Sequence, residues 1–347
     1  MFGGNRPYLK IEMKKSEISV ILPFFNAAYT LARALESIAA QTFTDFECLL
    51  VDNNSNDGSG EIARKFCNKD PRFLLLHESR QGVMHANNTG LSNAKAQYIA
   101  RMDADDWMFP DRLERQFNFL EEHPEIDVVA GQAEYMPHST ETLGFKRYVG
   151  WSNNILSHRD ISLKQFVESP VINPTVMFRK KVADKHGSYK HGDFPEDYEL
   201  WLRWLREGVS FHKLPYLVLK WYDSASRLTR TDQRYSDMAF FDIKTRYLAD
   251  WLKDHDPHHP KVAIWGASKI SRNRSNLLTD RGIRIINYID ISNKRQLNKA
   301  VIYYKDIPEP GTIFILIYLK EETMRAETIG FLLDRGYEEG VNFLLVS

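Results

Sequence analysis

Two cysteines in 347 residues, Cys48 and Cys67, cannot build a disulfide framework, which excludes the small secreted scaffolds that depend on one. Long hydrophobic runs are also missing. The most apolar stretch, residues 312–319, is far too short to span a bilayer. The opening MFGGNRPYLKIEMKK lacks the apolar segment of a secretion signal, so a reducing cytoplasm is the expected compartment, with peripheral membrane contact left open. There is no charge excess: 46 Lys and Arg balance 46 Asp and Glu, which removes electrostatic support for general binding to nucleic acid. Nothing repeats at a fixed period. What remains is an ordinary globular composition, 43% hydrophobic and 27% charged, in a chain long enough for two domains.

The pattern that is present is alternation. From residue 18 the chain reads ISVILPF, a helical AAYTLARALESIAAQ, FECLLVD, the polar turn NNSNDGS, a helical GEIARKFCNK, FLLLHE, a helix over residues 88–95, and QYIARMD. Apolar runs separated by helical periodicity predict right-handed crossovers and an α/β fold, a mostly parallel sheet with helices on both faces. Ligands of such sheets gather outside the carboxyl ends of the strands. The segments there, residues 23–26, 52–54, 78–81 and 103–106, are all polar or turn-like.

Further on, DRLERQFNFLEEH predicts a helix, IDVVAGQAEYM and TVMFRK strands, and residues 137–171 a less regular stretch. A helix should start after the proline of FPEDYELWLRW, and residues 235–253 form an aromatic-rich helical pattern. The following DHDPHHP reads as a linker, with zinc at His255, His258 and His259 as the lesser alternative. KVAIWGASKIS, RIINYID, TIFILIYL and NFLLVS then outline a small C-terminal Rossmann-like α/β unit. Ser268 and Ser271 replace glycines that a dinucleotide fingerprint needs for close approach of pyrophosphate, so a structural or docking module is favoured over a cofactor site. The expected division is an N-terminal domain over residues 16–235, a helical connector over 236–260 and the C-terminal unit over 261–347.

The densest chemistry is Met102-Asp103-Ala104-Asp105-Asp106, three carboxylates in four positions. Like charges this close repel, and a bound cation removes the repulsion. Oxygen ligands suit Mn²⁺ or Mg²⁺, with water and substrate phosphate completing the shell. The competing reading is an acid-rich start to the helix that follows Pro110.

SVILPFFN (19–26), LVDNNSNDGS (50–59), NTGL (88–91), MDADD (102–106) and PEDYELW (195–201), in this order and spacing, resemble the motif set of family 2 glycosyltransferases with a GT-A fold. The resemblance covers roughly residues 16–230. The whole chain is similar to the beta-1,3-N-acetylglucosaminyltransferase-like proteins, which carry a C-terminal Rossmann-like unit. The family match implies an inverting, metal-dependent transfer from a nucleotide sugar, a UDP-sugar such as UDP-GlcNAc, to an acceptor hydroxyl in polysaccharide or glycoconjugate synthesis. Partners would be that donor and a glycan or glycolipid acceptor, with homo-oligomerisation left open.

The same resemblance assigns residues. Asp105 faces the metal, and Asp103 the ribose hydroxyls or a metal-bound water, while Asp106 stands between this cluster and a cap for the next helix. Asp52 accepts from the base, with Asn53 replacing the usual second acid. Pro23 and Phe25 wall the base with Asn26 beside them. Arg80 reaches phosphate or base, the more so because Asn87 stands where many relatives carry arginine. Asn88 holds loop geometry. Asp197 is the general base that takes the acceptor proton, Glu196 orients the acceptor or a neighbouring loop, and Arg227 folds over the diphosphate. Trp151 and Trp221 are sugar platforms or packing. A Q-x-x-R-W signature is absent, which disfavours processive polymerisation. The alternatives are a nucleotidyltransferase, for which PFFNAAY lacks a phosphate-gripping loop, and a non-catalytic nucleotide-sugar-binding or scaffolding protein.

Overall fold

β1 (Ile18–Phe24) is buried along its whole length, as a central strand covered on both faces must be. The structure, a computed structural model, describes residues 16–138, 143–224, 227–292 and 299–347. After β1 come α1 (Leu31–Ala39), β2 (Phe46–Asp52), α2 (Ser59–Lys69), β3 (Phe73–His77), α3 (Val83–Asn93) and β4 (Tyr98–Arg101). These four strands pair in parallel in the order β3-β2-β1-β4. Alternate residues of β1 feed opposite layers: Val20 and Leu22 pack with Leu31 and Leu35 of α1, and Ile21 packs with Met84 and Leu91 of α3. Gly90 allows that second contact, because a Cβ there would sit 2.4 Å from Ile21 Cγ2. This gives the NTGL motif a packing role.

The sheet continues with β5 (Trp107–Met108), α4 (Arg112–Glu122), β6 (Val128–Met136), α5 (Leu143–Asn153), α6 (His158–Lys164), β7 (Met177–Arg179), α7 (Lys180–His186), α8 (Glu196–Arg206) and β8 (Phe211–Tyr222). β7 runs antiparallel to β4 and β6, and β8 runs parallel to β6, so the eight-stranded sheet is mixed beyond β4. The stretch 137–171, expected to be irregular, contains α5 and α6. β8 was not legible because Pro215 interrupts its pattern. The register jumps from Gly131↔Leu214 to Gln132↔Leu217, and this irregularity accommodates the proline.

α9 (Leu228–Thr231) and α10 (Asp237–His255) lead to the second sheet. It is built from β9 (Lys261–Trp265), α11 (Lys269–Asn276), β10 (Arg284–Asp290), β11 (Ala300–Tyr303), β12 (Phe314–Ile317), α12 (Glu322–Asp334) and β13 (Phe343–Leu345). Its five strands are all parallel, in the order β11-β10-β9-β12-β13. One core joins Tyr198 and Leu202 of α8, Leu248 and Leu252 of α10, and Ile264 and Leu316 of the second sheet. Among the described residues no helix is long and apolar enough to cross a membrane.

Candidate active site

Register sets Phe24 beside Asp52 and Asp52 beside His77, so the loops after β1, β2 and β3 emerge together. The first two are knitted by polar groups. Asn26, in the left-handed region at φ 49°, accepts from Asn56 N at 2.9 Å, and Ala28 N donates to Asp57 Oδ2 at 2.9 Å. Asp52 Oδ1 accepts from Ser55 N at 2.9 Å. Asn53 donates to the carbonyls of Glu78 and Arg80 at 2.9 and 2.8 Å and accepts from Gly82 N at 2.8 Å. A carboxylate has no proton to donate to those carbonyls, which explains asparagine at a position where an acid was expected.

Beyond β4 the chain turns tightly, and Asp103, Asp105 and Asp106 each offer an oxygen within 4.8 Å of the others. No other group of three or more potential metal ligands occurs among the described residues. Burial pushes the Asp105 carboxyl up, and Asp103 pushes it the same way against Arg227. Fully buried Asp106 is raised well above the ordinary carboxylate value by desolvation, then by Asp105 and Asp103. Asp106 Oδ1 accepts from Tyr222 N at 2.9 Å, while Oδ2 is buried with no partner. A bare cluster of this kind is unfavourable, and an oxygen-seeking divalent cation fits its donor set. The expectation that Asp106 caps the next helix is corrected: α4 has Asp111 at that position, with no side-chain cap bond.

Across from this turn lies α8. Its first residues are acids, aligned with the helix dipole. Glu196 is buried and accepts from Tyr235 Oη at 2.5 Å. Asp197 Oδ1 accepts from Tyr198 N at 2.8 Å. Burial, followed by the Glu196 charge, pushes the Asp197 carboxyl up to about 7, and Asp103 adds to the rise. Buried Arg101 donates to Asp103 Oδ1 at 2.7 Å and favours the charged form of Asp197 from the same side. Asp103 and Asp197 therefore act electrostatically on one another.

Arg227 stacks on Trp221, its guanidinium carbon 3.7 Å from the ring centroid, and it stabilises the charged forms of Asp105 and Asp106. Trp221 is buried beside Phe145 and Tyr148, so packing accounts for it and the sugar-platform reading is withdrawn. Trp151 is half-buried against Tyr148.

On the nucleotide side, Pro23 is buried within β1 and Phe25 projects half-exposed at its end. Arg80 is already engaged by Glu78, donating from Nε at 3.0 Å and Nη2 at 2.9 Å. Asn88 brackets Tyr189, donating to its carbonyl at 2.8 Å and accepting from its N–H at 3.1 Å, which fixes the loop before α8. The zinc alternative lacks support: His255 Nδ1 meets Trp251 O at 2.8 Å and His258 Nε2 meets Gly311 O at 2.6 Å.

Sequence reasoning missed Arg101, Tyr222 and Tyr235. Arg101 carried a signal, a cation inside an otherwise apolar strand two residues before the acids. Tyr222 and Tyr235 carried none, because only the path of β8 and the turn before α10 bring them here. A cavity of about 1050 Å³ opens at the other end of the strands, by Phe46, Arg72, Lys95 and Tyr98, but its Lys180 and Arg72 are paired with Asp184 and Asp70.

Known proteins resemble this chain in sequence and in fold. The family model "Glycosyl transferase family 2" matches residues 19–187. The amylovoran biosynthesis glycosyltransferase AmsE of Erwinia amylovora is 33% identical over 207 residues, 58% of this chain and 74% of the relative. An uncharacterized glycosyltransferase of Methanocaldococcus jannaschii, MJ1057, is 28% identical over 213 residues, 60% of this chain and 72% of its own. Residues 1–349 of S. aureus TarS, in complex with UDP-GlcNAc, superpose with a TM-score of 0.55 at 17% identity, covering 76% of this chain and 71% of that one. At that identity the likeness establishes the architecture of the first domain alone, a GT-A fold. With AmsE 33% identical and spanned over 74% of its length, the chain is a glycosyltransferase and belongs to glycosyl transferase family 2.

Proposed function

We propose that the protein transfers one sugar, with inversion, from a UDP-linked donor to a hydroxyl of a glycan or glycolipid acceptor. The observation that carries this reading is the acid turn, Asp103, Asp105 and Asp106 within 4.8 Å, with Arg101 bonded to Asp103 and Asp197 at the start of α8 within its electrostatic reach. A carboxylate titrating near neutrality is suited to remove the acceptor proton as the oxygen attacks. A single base on the face opposite the departing diphosphate gives inversion. Asp103 and Asp105 would hold Mn²⁺ or Mg²⁺, with Asp106 beside them. When bound, the cation offsets the charge that develops on the leaving diphosphate. Asp52, Phe25, Asn26 and Pro23 form the base-binding end, and Arg227 moves from Trp221 onto the diphosphate.

Residues 16–235 are taken as the catalytic domain, 236–260 as the connector and 261–347 as the Rossmann-like unit. UDP-GlcNAc is the first donor to test, because TarS was crystallised with it. AmsE is named for amylovoran biosynthesis, and a biosynthetic setting is proposed here too.

The test is transfer by the purified protein with Mn²⁺ against a panel of nucleotide sugars, beside Asp197→Asn. UDP-linked donors should support transfer, and the variant should bind UDP normally while turnover falls by at least about a hundredfold. The wild-type rate should climb through about pH 7, because only ionised Asp197 accepts the proton. Near wild-type turnover in Asp197→Asn would overturn the base assignment.

A further inference from the structure

One of the two carboxylates at the start of α8, Glu196, is held from outside the catalytic sheet. Tyr235 lies beyond the residues matched by the family model, 19–187, in the short turn that joins α9 to α10. That turn is rigid by construction: Asp232 accepts from Arg234 N at 2.9 Å and from its Nη2 at 2.6 Å. Ser236 Oγ then caps α10, accepting from Ala239 N at 3.3 Å.

α10 is fixed on both sides. Toward α8, Tyr247 Oη donates to Glu199 Oε1 at 2.6 Å, and the Tyr198 and Phe240 rings meet at 5.5 Å. Toward the second sheet, the buried Lys244 side chain donates to Val346 O at 2.9 Å, and it donates also to Val167 O, in the segment after α6, at 3.0 Å. The position of the Tyr235 hydroxyl is thus set by the connector and, through it, by the C-terminal unit.

Resting on the function proposed above, we propose that Tyr235 is a positioning residue for that reaction: its hydroxyl fixes the Glu196 carboxylate away from the acceptor, leaving Asp197 as the one base that faces it. Two adjacent carboxylates would otherwise compete for the acceptor proton. Tyr235 removes Glu196 from that competition by a 2.5 Å hydrogen bond to Oε2. The groups facing Glu196 are Tyr235 and Arg234 from the turn before α10, Arg101 from β4 and Asp197 on its own helix. Tyr189 also lies within electrostatic range of both acids, and Tyr148 and Asp103 within range of Asp197.

The hydroxyl favours the ionised form of Glu196, and that charge in turn raises Asp197. Without it Glu196 keeps a proton to higher pH, its opposition to Asp197 ionising weakens, and Asp197 becomes a weaker base that ionises earlier.

The experiment compares Tyr235→Phe with Tyr247→Phe, which removes the neighbouring hydroxyl on Glu199 from the same helix interface. For Tyr235→Phe the expected result is about a tenfold fall in kcat with donor KM within twofold of wild type, and an acid limb displaced to lower pH. Tyr247→Phe should leave kcat and the pH profile as they are, because the Tyr198–Phe240 ring contact and the Lys244 bonds still hold α10 in place. The positioning role is overturned if Tyr235→Phe keeps kcat and its profile, or if both variants lose activity alike with the profile unmoved. Failure of the function reading shows separately, as Asp197→Asn retaining turnover whatever Tyr235→Phe does.

Discussion

At the carboxyl edge of the first sheet, Asp103, Asp105 and Asp106 crowd within 4.8 Å, and one oxygen of Asp106 is buried without a partner. At the same edge of the second sheet the corresponding turn is closed on itself. Ser268 Oγ accepts from Ser271 N at 3.1 Å and lies 2.8 Å from Ser271 Oγ, which donates to Tyr318 O at 2.7 Å. Gly266, at φ 118°, leaves no room either, since a Cβ there would meet Tyr318 O at 2.8 Å. Both edges obey the rule that puts ligands outside strand ends, yet only the first crowds carboxylates together; the orphaned atoms at the second are Tyr318 Oη and Arg272 Nε. Topology nominates a crevice, and crowded charge shows which crevice has work to do.

The largest way to break that contrast is Asp105→Ala. Loss of a direct ligand should weaken Mn²⁺-dependent UDP binding by at least about tenfold, since even outer-shell changes around metals cost that much. Calorimetric titration of UDP with and without Mn²⁺ checks it, and equal affinity in both conditions would remove the metal from this edge.

Asp106→Asn sharpens the contrast through stability. The folded protein holds the Asp106 proton more tightly than the unfolded chain does. The carboxyl is therefore neutral toward folding below about pH 4 and destabilises increasingly as pH rises. Without metal, the variant should unfold about 1 kcal/mol later at pH 7 and show no gain at pH 4. Denaturant melts at the two pH values decide it, and a gain equal at both would discard the charge argument.

Ser268→Ala should have the smallest effect. Losing the cap of α11 should cost about 1 kcal/mol of stability, with UDP affinity and transfer unchanged. A change in nucleotide affinity would mean that the second crevice also binds ligand.

Much of the fold was legible. β1 and β2 appear where their apolar runs fall, because a strand covered on both faces needs such a run. The acid turn stood out because nothing in local structure rewards three carboxylates in four positions. β8 was hidden by Pro215, whose compatibility depends on a register irregularity against β6. Arg80 read as a contact to phosphate or base, and its engagement by Glu78, two residues away, shows only in the folded loop. Trp221 read as a platform or as packing, and Arg227 and Phe145 against it make it packing.

By itself, the sequence determined the alternation that makes two α/β sheets, the strand ends at which polar loops emerge, and the residue types available for metal and proton chemistry. These depend on local periodicity and on side-chain inventory. Only the tertiary structure decided that Asp197 acts on Asp103, that Asp106 stays buried with the cluster, and that a tyrosine 39 residues beyond Glu196 holds its carboxylate. A carboxylate's proton affinity depends on burial and on charges brought near it by chain paths far apart in sequence, and no local pattern encodes those.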